Sequence, residues 1–94
     1  MKSTALHCAA ASGHEAVVAQ LLQAKAEIEA RNSYGITALH FAAFSGKESV
    51  VETLLRAKAD PNAVDNDGKT AAQYAVQCGH PALAKRLKQA QGSQ

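Results

Sequence analysis

The chain is predicted to be an all-α solenoid, a stack of about three helix-turn-helix units joined by short β-hairpin loops. Three observations predict this. Thr4-Ala5-Leu6-His7 recurs as Thr37-Ala38-Leu39-His40 and, worn, as Thr70-Ala71-Ala72-Gln73, a constant step of 33 residues. Residues 3–32 aligned on 36–65 give 17 identities in 30 positions, far above chance. Within each copy, two apolar stripes at helical spacing are separated by a glycine, Gly13, Gly46 or Gly79. Self-similarity at such a period signals thin units that share one extended core. The chain of 94 residues has room for one domain, 1–94, with units at about 1–32, 33–65 and 66–94.

Each unit opens on a loop. Asn32-Ser33-Tyr34-Gly35 and Asp65-Asn66-Asp67-Gly68 carry Asx first and Gly fourth, the pattern of a type I turn. Extended residues on either side make each unit boundary read as a hairpin or hairpin-like loop. Thr37 and Thr70 then suit the N-cap of a short alanine-rich helix. Leu39, Ala42 and Ala43 lie on one stripe of it. Gly46 stops this helix, because glycine accepts the left-handed conformation that closes helices. A second helix begins near Glu48, whose carboxylate favours the positive helix start. Val50, Val51, Leu54 and Leu55 form its stripe. The first copy repeats the plan with Gly13, Glu15, Val17, Val18, Leu21 and Leu22.

The residues Gly35-Ile36-Thr37-Ala38-Leu39-His40-Phe41-Ala42-Ala43-Phe44-Ser45-Gly46, followed by Val50-Val51, Leu54-Leu55 and Ala59-Asp60-Pro61-Asn62-Ala63, resemble the ankyrin repeat. The resemblance covers essentially the whole chain, as two well-formed copies and one degenerate one. It implies an L-shaped unit stacked into a slightly curved solenoid, with hairpins projecting beside the concave inner helices, that binds other proteins through the hairpin tips and the inner-helix surface. It also implies that His7 and His40 bond to neighbouring turns and tie units together. Asn62 stands where some members carry a hydroxylated asparagine. Two features depart from the family pattern. Ala5, Ala38 and Ala71 replace the usual proline after the capping threonine, and Lys25 and Lys58 replace the glycine after the second helix. A non-glycine residue in that left-handed position costs about 1–2 kcal/mol.

The ends of a stack need polar faces. In the last copy Gln73 and Gln77 replace His and Phe, Pro81 suits a first helical turn, and Lys85, Arg86, Lys88 and Gln89 make the second helix amphipathic. This basic cluster reads as a cap that complements the helix C-terminus, in preference to a nucleic-acid or membrane patch, since it lacks interleaved aromatics. The first layer is barer, with Ala5, Cys8, Ala9, Ala11 and Ala16. Either the chain is a piece of a longer array, or another chain covers this layer, so self-association through the N-terminal layer stays open.

Composition excludes several classes of function. The net charge of +2 is too small to imply nucleic acid, and no apolar run is long enough to insert into a membrane. The start Met1-Lys2-Ser3-Thr4 runs straight into the first copy, with no signal peptide expected. Cys8 and Cys78 sit at non-equivalent places in the outer copies, which favours reduced thiols and an intracellular, cytoplasmic-type setting over a disulfide. Neither Cys-His pair has a partner at zinc-finger spacing. Asp60, Asp65 and Asp67 read as turn residues, since no calcium-loop Glu follows. No phosphate loop or nucleophile-plus-base pattern is present. No catalysis, metal or cofactor is expected.

Hydrophobic residues at positions the repeat leaves free carry the functional expectation. Tyr34 and Ile36 flank Gly35 at a loop tip, and Phe44 lies about 140° around its helix from Leu39, facing the concave side. Tyr34, Ile36 and Phe44, with Ser45 and Ser12 beside them, form a candidate site for a partner protein. Alternatively, Phe44 packs on its own inner helices and Tyr34 is merely solvated. Arg31 and Ser33, then Val64, Asn66, Asp67 and Lys69 of the next loop, and Gln77 and Cys78 of the next helix, complete the expected rim.

Overall fold

The computed structural model describes residues 4–92; the run-in at Met1–Ser3 and the last two residues of the third unit lie outside the described residues. Six helices follow in order: α1 (Ala5–Ser12), α2 (Glu15–Gln23), α3 (Ala38–Ser45), α4 (Glu48–Arg56), α5 (Ala71–Gln77) and α6 (Pro81–Gly92). Helices α1, α3 and α5 pack side by side as an inner row, and α2 and α4 pack behind them, with α6 against α5. Two units end in αL residues that are not glycine, Lys25 at φ 70° and Lys58 at φ 76°, as the sequence predicts.

The inner row is built on a self-contained cap. Thr4, Thr37 and Thr70 each accept from the backbone N–H three residues on, and the side chain at that third position reaches back to the threonine N–H. In the first two units that side chain is a histidine. Its Nδ1 accepts from the Thr4 N–H at 3.0 Å or the Thr37 N–H at 3.1 Å. Its Nε2 donates to a carbonyl of the next loop, His7 to Ile36 at 2.8 Å and His40 to Lys69 at 2.9 Å. A carbonyl only accepts and an amide N–H only donates, so the bonds specify the neutral Nε2–H tautomer. Gln73 repeats the cap in the third unit, taking the Thr70 N–H at 2.8 Å.

Between layers the packing is mostly alanine and valine. Ala10, Ala42, Ala43, Ala75, Val18, Val50, Val51 and Leu54 are fully excluded from water. Small side chains let the inner helices approach closely, and no layer could exclude water without its neighbours. Equivalent positions show it. Val50 is sealed, whereas its counterpart Val17 on the open first flank is 43% exposed. Ala43 is sealed, whereas its counterpart Val76 on the open last flank is 56% exposed. On the outer side, Arg86 grips Glu52 with two hydrogen bonds, at 2.6 and 3.1 Å, joining α6 to α4.

Two expectations are corrected. Arg86 belongs to that inter-unit pair, and α6 runs on to Gly92, so the basic cluster lies mid-helix and no basic residue occupies its last turn. The loops are not β-hairpins, and no strand occurs among the described residues. In each loop one backbone bond forms, from the Asn32 or Asp65 N–H to the carbonyl of Ile36 or Lys69, but the return N–H of Ile36 or Lys69 goes to the side-chain Oδ1 of Asn32 or Asp65.

Two predictions follow from these caps and turns. At the end of α4, the Lys58 N–H bonds Leu55 and the Ala59 N–H bonds Leu54, a closure that requires Lys58 itself to be left-handed. Lys58→Gly relieves that strain, less the extra entropy of the unfolded glycine, and raises the Tm by roughly 4–8 °C per kcal/mol gained; a lower Tm would refute the strain.

His40 is 1% exposed. Burial disfavours its charged form and pulls its pKa below 6.5, against the opposing pull of the Lys69 carbonyl and Asp65. The unfolded chain therefore binds the proton first, and stability falls as pH drops through about 6.5, levelling off below the folded value. Urea midpoints are expected to decline from pH 7.5 to about 5. His40→Gln, which keeps a capping side chain, shows a smaller decline, and an equal one contradicts the assignment.

Candidate functional site

The site is assembled from two loops and the two inner helices behind them. In the first loop Gly35 closes the turn on Asn32 at 2.9 Å, and Asn32 Oδ1 accepts from the Tyr34 and Ile36 N–H groups at 2.9 and 3.0 Å. In the second, Gly68 closes on Asp65 at 3.0 Å, and Asp65 Oδ1 accepts from Asp67 and Lys69, each at 2.9 Å. Neighbouring loops are fastened together. The Asn66 N–H donates to Tyr34 at 3.0 Å, Asn66 Nδ2 to Ser33 at 3.1 Å, and Arg31 to the carbonyls of Gly35 and Val64. Gly35 is required twice over: its φ is 76°, and a Cβ there would sit 2.5 Å from Asn66 Oδ1.

Behind the fastened loops a hollow of about 360 Å³ opens between α3 and α5. Ile36, Phe41 and Phe44 line its apolar side, Tyr74 and Gln77 come from α5, and Asp65, Asp67 and Lys69 come from the second loop. Phe44 is 57% exposed, so its ring is offered to the concave surface and is not consumed by the core. Phe41 meets the His7 ring edge-on with centroids 5.5 Å apart, and Tyr74 leans on His40 at 4.9 Å. The rings that floor the hollow are thereby held by the same histidines that tie the units.

Charge in the hollow is unevenly placed. Burial alone would push the Asp65 carboxyl up, but donors from the Tyr74 hydroxyl, Lys69 and Asp67 hold it below the usual carboxylate range. Tyr74 is pushed well above the usual phenol range by burial and by its bond to Asp65. Both groups therefore keep fixed protonation states near neutrality, with Asp65 ionised and Tyr74 a donor. The equivalent of Asp65 in the preceding loop is Asn32, 6% exposed, whose Nδ2 is buried without a hydrogen-bond partner. Phe41 stands where Tyr74 stands one unit later and has no hydroxyl to offer.

The structure brings together only part of the set singled out from the sequence. Ile36, Phe44, Asp67, Lys69 and Gln77 share the hollow. Tyr34 is 59% exposed at the loop tip but does not line it, and Ser12, Ser45 and Cys78 also lie outside it. Arg31, Ser33, Val64 and Asn66 act in the loop-to-loop fastening through side chains or carbonyls. Asn62 is exposed, its N–H held by Asp60 Oδ1 at 2.9 Å. Sequence reasoning missed Phe41, Tyr74 and Asp65. Phe41 is three residues before Phe44, a spacing that sets both on one helix face, and that signal was present. Asp65 was read only as a turn residue, and nothing local announces its bond to a tyrosine nine residues on.

The described residues contain no cluster of three or more His, Cys, Asp or Glu able to hold a metal, and both thiols are free. No helix among them is long and apolar enough to cross a membrane.

Comparison with known proteins agrees with this geometry. A family model described as ankyrin repeats in three copies matches residues 6–94. No curated protein was found with significant similarity to the chain. Repeats of this kind are in general protein–protein interaction modules, and the family is typically non-catalytic. With three tied units, threonine caps and a match running over nearly its whole length, the chain belongs to the ankyrin repeat family.

Proposed function

We propose that the chain binds a segment of a partner protein in the hollow between α3 and α5. One observation carries this reading: Phe44 presents more than half of its surface to solvent on the rim of an apolar hollow that fastened loops hold open. A large apolar ring in that position stabilises no buried layer, and aromatic anchors beside a pocket are where binding energy concentrates. The inner helices and loops are pinned before any partner arrives, which keeps the entropic cost of docking small. Tyr34 at the neighbouring tip adds apolar surface for the flank of the bound segment.

Random linear peptides displayed on phage and selected on the chain test this. Recovered peptides are expected to lose about 30-fold in affinity, near 2 kcal/mol, on Phe44→Ala. The variant's Tm is expected to stay within the change of about 0.5 kcal/mol typical of surface substitutions. Peptides that bind Phe44→Ala as well as the parent, or a large drop in Tm, would place the ring in the core and the binding elsewhere.

A further inference from the structure

The hollow contains charges that the fold does not need, and they point to what enters it. The turn requires one side-chain oxygen at its first position, which the neutral Asn32 supplies in the preceding loop; Asp65 here also accepts from the Tyr74 hydroxyl, so its charge is part of the fold and the surplus charges are elsewhere. The two other charged positions, Asp67 and Lys69, are occupied one unit earlier by Tyr34 and Ile36. Neither the Asp67 carboxylate nor the Lys69 ammonium makes a hydrogen bond or ion pair with another described side chain; both residues engage the fold through their backbones. The lining thus holds two carboxylates against one ammonium, within a chain whose net charge is +2. The rings of Phe41, Phe44 and Tyr74 line the same hollow. The Tyr74 hydroxyl is already committed to Asp65, which leaves that residue's ring face as its contribution.

From this juxtaposition we infer that the hollow receives an arginine side chain of the partner, an inference that rests on the binding reading above. A guanidinium is planar and weakly hydrated, so it lies against an aromatic face where a lysine ammonium would forfeit more hydration. Its fork of donors reaches Asp67 while its methylene stem covers the apolar side lined by Ile36 and Phe44. Asp65, already holding three donors, contributes fixed negative charge from below. Lys69 opposes the incoming cation and sets a penalty that an uncharged side chain would not meet.

The peptides selected on the chain supply the test. Those that depend on Phe44 are expected to share an arginine at one position. Replacing that arginine by citrulline, its uncharged counterpart, weakens binding about tenfold or more, and Asp67→Asn weakens it equally. Asn is suited to the turn and keeps the backbone bonds, so this variant folds. The two losses are not additive when combined, and Lys69→Met tightens the arginine peptide about two- to threefold. Phe44-dependent peptides that lack arginine, or carry lysine or an apolar residue in its place, overturn the inference and leave the binding reading intact. So does arginine whose binding is indifferent to Asp67→Asn or weakened by Lys69→Met. A selection with no Phe44-dependent peptide overturns both.

Discussion

A single imidazole in each of the first two units, held in one tautomer, joins the local order of the chain to its long-range order. The Nδ1 of His7 or His40 completes a helix cap three residues away, and the Nε2–H of the same ring crosses to a loop 29 residues on. Capping fixes where the inner helix starts, and the crossing bond fixes how far the next loop stands from it. The alanine rows can then close on each other, since their separation is set by hydrogen bonds that tolerate little variation. The Phe41 and Tyr74 rings lean on those imidazoles. The shape of the concave surface therefore descends from the caps.

The repeating part of this architecture was legible because it is written locally. Thr-Ala-Leu-His, the glycine stops and the Val-Val/Leu-Leu stripes each specify short-range geometry, and the 33-residue step shows how they stack. Even the strained residues Lys25 and Lys58 could be placed, since the ankyrin resemblance puts a left-handed glycine where they stand. The hairpins expected from the turn signals are absent, because the sequence does not show that Asn32 and Asp65 would take with their side chains the N–H groups of Ile36 and Lys69. Ile36 and Phe44 emerged from the repeat as residues it does not require. Phe41 and Tyr74 did not, since a half-buried ring beside a capping residue reads as packing until a cavity is seen next to it. The pairing of Asp65 with Tyr74 joins a loop to a helix face, and no periodic pattern carries it.

The two loops share one backbone plan and differ in chemistry. Asn32 beneath Phe41 leaves a buried amide nitrogen unpartnered, whereas Asp65 beneath Tyr74 has every oxygen engaged. The preceding unit presents Tyr34 and Ile36 where the next presents Asp67 and Lys69. Function in this fold is a matter of what is hung on positions the scaffold leaves free, and here the charged set lines the hollow between α3 and α5.

Val17 and Val76 are solvent-facing versions of residues that are sealed in the middle layer, which makes that layer the one buried on both sides. The first layer contributes none of the side chains around the cavity, yet its His7 braces the Phe41 ring and bonds the Ile36 carbonyl, so it steadies the lining from behind. The third layer supplies one wall outright. Occupancy would accordingly act as a clasp across the stack, slowing amide exchange most in the two layers that line the cavity and reaching the amino-terminal one through His7.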